Sequence, residues 1–85
     1  MADVHNVHLN YALGLWVAEK IAEIDRHMTF YGSGLSSDEI SELVQTQKPL
    51  WKLLRVYQTR IELSATADTE TKAQYMNGIQ RALHP

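Results

Sequence analysis

The stretch Val4–Met28, VHNVHLNYALGLWVAEKIAEIDRHM, decides the architecture, because its apolar residues recur at helical spacing over many turns. Placed on a wheel at about 100° per residue, they separate into two stripes. One stripe is Leu9, Leu13, Val17, Ile21, Ile24 and Met28. The other is Val4, Tyr11, Leu15, Ala18 and Ala22, with Val7 at its edge. Glu19, Glu23, Arg26 and, at the border, Lys20 are squeezed into the arc that remains. An amphipathic surface helix buries one stripe, whereas this one asks to bury two.

Length sharpens the point. A helix from about Asp3, with Asp3 or Asn6 as its cap, to Phe30 would be about 42 Å long. A compact domain of 85 residues is only about 30 Å across. Two readings follow. Either the helix is the centre of a bundle and is covered on both sides by the rest of the chain, or one stripe is a seam for another molecule. The second is the expectation, because only some 50 residues remain to cover both faces. Ala18 and Ala22, one turn apart, would let a helix of the partner approach closely. The expected partner-binding residues are therefore Val4, Tyr11, Leu15, Ala18 and Ala22.

The rest of the chain also reads as helix. Tyr31–Leu35 is a loop, with Gly32 suited to the left-handed position after the first helix; no strand precedes its glycines and no Gly-Lys-Ser/Thr follows, so it is not a phosphate loop. Ser36 and Glu39 have the spacing of a capping box, and Leu35 and Ile40 that of a hydrophobic staple. The second helix should bury Ile40, Leu43 and Val44 and end near Gln47, because Pro49 disfavours a helical residue before it. Pro49 then opens a third helix to about Ala65, with Leu50, Leu53, Leu54, Tyr57 and Ile61 on one arc. Asp68 or Thr66 can cap a fourth, whose core side is Ala73, Met76, Ile79 and Leu83, unless Ser64–Thr71 is continuous helix. No run alternates like a strand. The expected class is all-α: a single domain, residues 1–85, built as a bundle of three to four helices with a long N-terminal helix.

Charge is uneven along the chain. Residues 1–44 carry seven acids and two bases, whereas residues 45–60 carry Lys48, Lys52, Arg55 and Arg60 and no acid. Lys48, Lys52, Arg55 and Thr59 share one helical face beside Trp51, a boundary aromatic that suits an interface. The segment LSSDEISELVQTQKPLWKLL resembles a helix-turn-helix: Ile40, Val44, Trp51 and Leu54 fall near its apolar positions, Ser41 sits where a small residue is wanted, and a Pro-initiated second helix would be the reader. The resemblance implies DNA binding through residues 36–59, with Lys48, Lys52, Arg55 and Thr59 on phosphates. The Gln45-Thr46-Gln47 turn lacks the usual glycine, no wing follows, and the net charge of −2 makes the whole chain a poor phosphate binder.

No site for chemistry stands out. The chain has no cysteine, which removes disulfides and thiolate metal sites together and leaves oligomerisation as the staple for a small core. His5 and His8 share a helical face without an acidic or cysteine partner, and no metal is expected. Glu19 with Glu23, and Asp38, Glu39 and Glu42, lie on polar arcs or in a first helical turn, without the apolar pocket that acid–base work needs. No cofactor or catalytic residue is expected. The longest uncharged apolar run, Tyr11–Ala18, is too short to span a membrane, and MADVHNVHLN does not read as a signal peptide, so a cytoplasmic setting is expected. The expectation is a non-enzymatic protein–protein interaction module, a regulator, adaptor or inhibitor of the kind common among accessory proteins of phages and mobile elements. It would form a dimer through its first helix, with a DNA-binding regulator as the alternative.

Overall fold

The computed structural model describes residues 6–85. Val4, His5 and the Asp3 cap lie outside the described residues. The fold is all-α, with three helices: α1 (Val7–Tyr31), α2 (Ser37–Glu62) and α3 (Thr69–Leu83), the first two joined by a 3-10 turn at Gly32–Gly34.

Local signals set most of the boundaries. The Asn6 side chain accepts from the amides of His8 and Leu9, each at 3.1 Å, and opens α1. Both halves of the Ser36–Glu39 capping box form at 3.2 Å. The Asp68 carboxylate accepts from the Thr71 amide at 2.7 Å and opens α3. Between α2 and α3 the chain turns, with the Ser64 hydroxyl 3.3 Å from that of Thr66, so the last two helices are separate.

Three expectations about boundaries are corrected. Gly32 is right-handed, at φ −56°, and belongs to the 3-10 turn. The break expected at Gln47–Pro49 is absent, and α2 continues as helix through Pro49. A proline there removes a hydrogen bond to the Gln45 carbonyl, but Gln45 and Pro49 both face solvent, where water replaces the missing donor. The helix-turn-helix of residues 36–59 therefore has no turn: those residues form one rod, and no separate reading helix exists.

The packing corrects the reading of α1. Its buried residues, Val7, Asn10, Gly14, Val17, Ala18, Ile21 and Ala22, form one arc between the two stripes. α2 lies on one side of that arc and α3 on the other, and α2 and α3 touch each other little. Ala18 is fully buried, and Tyr11 stacks on Tyr75 of α3 with ring centroids 4.0 Å apart and planes 2° from parallel. The Tyr11–Ala22 part of the second stripe is thus packed against the chain's own helices, as for the central helix of a bundle, with Ala18 and Ala22 buried and Tyr11 and Leu15 half-buried. The buried polar Asn10 donates to the Asn6 carbonyl at 2.8 Å. Ile21, Leu54, Ile61, Ile79 and Val17 are the largest fully buried side chains, each worth about 1.5–3 kcal/mol of burial.

Two glycines allow this approach. A Cβ on Gly14 would lie 3.1 Å from Cδ1 of Ile79 and 3.6 Å from Cβ of Tyr57. A Cβ on Gly78 would overlap the Tyr11 hydroxyl and sit 3.1 Å from two ring carbons. Gly78→Ala gains up to about 1 kcal/mol of helix propensity, but displaces a ring stacked on Tyr75, at about 1–3 kcal/mol. Urea melts should show a net loss for Gly78→Ala, partial recovery when Tyr11→Phe is added, and no loss for Gly34→Ala, which meets open space. A Gly78→Ala protein as stable as the parent would contradict the packing.

The α3 cap makes a second prediction. Hydrogen bonds from the Thr71 side chain and then from its amide hold the Asp68 carboxyl below its ordinary value. Because the folded value is depressed, the cap contributes stability at neutral pH that is lost as pH falls through that lowered value. The Thr71 amide resonance should titrate with a midpoint below that of an ordinary aspartate, and should stop titrating in Asp68→Asn. A midpoint at or above the ordinary value would refute this.

Candidate interaction surface

The residues expected to bind a partner do not form one surface. Tyr11 and Leu15 are half-buried against the core, and Ala18 and Ala22 are within it. Trp51 is exposed on α2, level with Lys48, Lys52, Arg55 and Thr59, which are exposed on the solvent side of that helix. Trp51, Lys52, Arg55 and Gln58 form one wall of a shallow groove, and Gln80 and Leu83 of α3 form the other. Of the basic stripe, Lys52 and Arg55 therefore have α3 beside them.

A different surface is apolar and uncovered. The register of the antiparallel α1–α2 pair is fixed at two levels. Gly14 lies beside Tyr57, and the Gln47 amide donates to the Ile21 carbonyl at 3.1 Å and to Asp25 Oδ1 at 2.7 Å. Leu9, Leu13 and Trp16 are therefore level with Arg60, Val56 and Leu53. On the wheels these residues fall on the flanks turned away from α3. Trp16 is 55% exposed and Leu63, at the end of the same flank of α2, is 62% exposed; Leu9, Leu53 and Val56 are exposed as well. This is the outer edge of the first stripe. The wheel found the stripe but not its exposure, which depends on the side taken by α3.

The same face continues to the tip of the hairpin. None of residues 23–53 is buried. The cause is a difference in length: α1 and α2 are each about 38 Å long, whereas the 15 residues of α3 span about 22 Å. α3 packs at the open end, against Tyr11 and Gly14, so roughly 15 Å of hairpin at the loop end has no third helix. Ile40 and Val44, expected in the core, are exposed there, and Leu43 is half-buried. At the tip Phe30 is 82% exposed, and Tyr31 lies 4.9 Å from the His27 ring and 6.0 Å from that of Phe30.

Charge along this face changes sign. Toward the open end lies Arg60, and near the middle lie Lys52 and Lys20, the Lys20 Nζ 6.0 Å above the Trp16 ring and 3.4 Å from Glu23. Toward the tip lie Glu42 and Asp38. Among the described residues no group of three His, Cys, Asp or Glu side chains is placed to hold a metal ion. No described helix is long and apolar enough to cross a membrane. Compared with known proteins, the chain matches no family model, no curated protein and no solved structure.

Uneven coverage should be visible in hydrogen exchange. In dilute protein, amides of residues 24–47 should exchange faster than those of residues 54–61 and 17–22. Uniform protection along α2 at low concentration would mean that the hairpin end is not bare.

Proposed function

We propose that this chain is a protein–protein interaction module, acting as a regulator, adaptor or inhibitor, and that it self-associates through α1. The interface is the outer edge Leu9–Leu13–Trp16 of α1 together with the flank Leu53–Val56–Leu63 of α2. The observation that carries this reading is the set of exposed large apolar side chains, Leu9 and Trp16 on α1 with Leu53 and Val56 on α2 and Leu63 just beyond its end.

The physics favours closure by another helical pair. Two adjacent rods about 38 Å long and together about 20 Å wide present about 750 Å², close to the roughly 800 Å² per partner of a standard interface. A flat two-helix face is satisfied by a second such face, which makes a four-helix bundle with each α3 on the outside. A homodimer about a twofold axis uses the same patch on both copies, so one surface suffices. The radius of gyration of 15.0 Å, against about 12 Å for a compact chain of this length, matches half of a larger assembly. The exposed Trp16 is the natural anchor, since large aromatic side chains dominate interface energetics.

Light scattering after gel filtration, from low to high micromolar protein, should show a mass moving toward twice that of the 9.7 kDa chain. Trp16→Glu with Val56→Glu should give a monomer of unchanged helix content. Ala18→Glu should instead lose helix content, because that position is fully buried in the monomer. A parent chain that stays monomeric at high micromolar concentration would sink the self-associating form of the proposal.

A further inference from the structure

We propose that the groove between α2 and α3 takes a short acidic segment of a partner protein, with carboxylates on Lys52 and Arg55 and an apolar side chain against Trp51. On the α2 wheel these residues fall on another side from Leu53 and Arg60, so the site does not depend on the self-association proposed above.

The groove exists because α2 and α3 both pack on α1 and barely meet each other. Trp51, Lys52, Arg55 and Gln58 line it on one side and Gln80 and Leu83 on the other, around a volume of about 280 Å³. That is below the roughly 300–1,000 Å³ of small-molecule pockets, and suits one or two side chains of a peptide better than a whole ligand. Its charge has one sign. Residues 43–61 carry Lys48, Lys52, Arg55 and Arg60, residues 71–85 carry Lys72 and Arg81, and neither stretch has an acid. Among the described residues the one ion pair is Lys20–Glu23 on α1, so Lys52 and Arg55 have no carboxylate of their own. Trp51 is exposed beside them, a large aromatic of the kind that anchors interfaces. Gln58 and Gln80 stand on opposite walls, and each carboxamide both donates and accepts, as the N–H and C=O groups of a peptide main chain require.

The dimensions set the length of the occupant. Trp51 to Gln58 spans about 10 Å and Lys48 to Thr59 about 16 Å. At about 3.3 Å per residue, an extended peptide covers this with about three to five residues. Acids then end the cationic stretch. Glu62 falls on the same side of the wheel as Trp51, and Asp68 and Glu70 follow at the start of α3. A nucleic acid laid along the groove carries charge at every step and would bring phosphates onto those acids. A segment with few acids and an apolar residue among them meets only the cations, the amides and the indole.

The probe is a blocked pentapeptide with two acids on each side of a central leucine, titrated into the full chain at low salt and followed by amide nuclear magnetic resonance. Shifts should concentrate at residues 51–58 and 80–84 and include the Trp51 indole N–H, while the Trp16 indole N–H stays in place. Lys52→Glu combined with Arg55→Glu should weaken binding by about tenfold or more, because each attraction becomes a repulsion. Trp51→Ala should weaken it by about fivefold. These three side chains are exposed, so helix content should not change. Trp16→Glu, on the other face, should bind the peptide as the parent does. No localised shift at millimolar peptide overturns the site. Equal affinity for a peptide with alanine at its centre overturns the contact with Trp51. A short DNA strand or duplex that displaces the peptide from the same residues at lower concentration overturns the peptide in favour of a nucleic acid.

Discussion

Ile79 of α3 rests on the bare backbone of α1 at Gly14, and Tyr11 of α1 rests on the bare backbone of α3 at Gly78. This reciprocal contact sets how closely the two helices approach and at what level along α1 the shorter one sits. The fully buried side chains cluster around it: Val17 and Ile21 on α1, Leu54 and Ile61 on α2, and Ile79 itself. Moving α3 one turn along α1 would place a Cβ-bearing residue where each glycine now stands. The register is therefore sharply specified. The bare tip is its consequence, since a 15-residue helix pinned at the open end cannot also cover the loop end.

How much was legible in the sequence follows the range of the interaction involved. The caps at Asn6, Ser36 and Asp68 are decided within three residues and could be read directly. Pro49 was misread because its cost depends on whether the Gln45 carbonyl meets water, which is a tertiary fact. The two stripes of α1 were correctly seen as more apolar surface than one neighbour covers. Which stripe was left over depends on the side α3 takes, and that is set by the Gly14 and Gly78 contacts between residues far apart in sequence. The small residues Ala18 and Ala22 do mark a buried helix face, but the core they enter is their own chain's. The face that is actually open carries Leu9, a member of the first stripe, and Trp16, which belongs to neither stripe.

The continuity of α2 also bears on the setting of the basic stripe. Lys48, Lys52, Arg55 and Thr59 sit exposed on one continuous helix and not on a second helix set off by a turn. Phosphate binding rewards such a row only through its summed charge, and the acids of residues 1–44 offset that sum.

An open apolar face of this size must be satisfied or defended. Contiguous exposed apolar surface on a lone soluble chain invites indiscriminate sticking, and the described core, only nine buried apolar residues, leaves little stability to spare. The cations set among these side chains, Lys20 beside Trp16 and Arg60 beside Val56, act against random contacts, because any partner that buries them without an acid pays for their desolvation. They do not act against a partner that brings a carboxylate to the right level. A face with cations set among its apolar groups is selective by construction, because it favours a partner whose acids are placed to meet them.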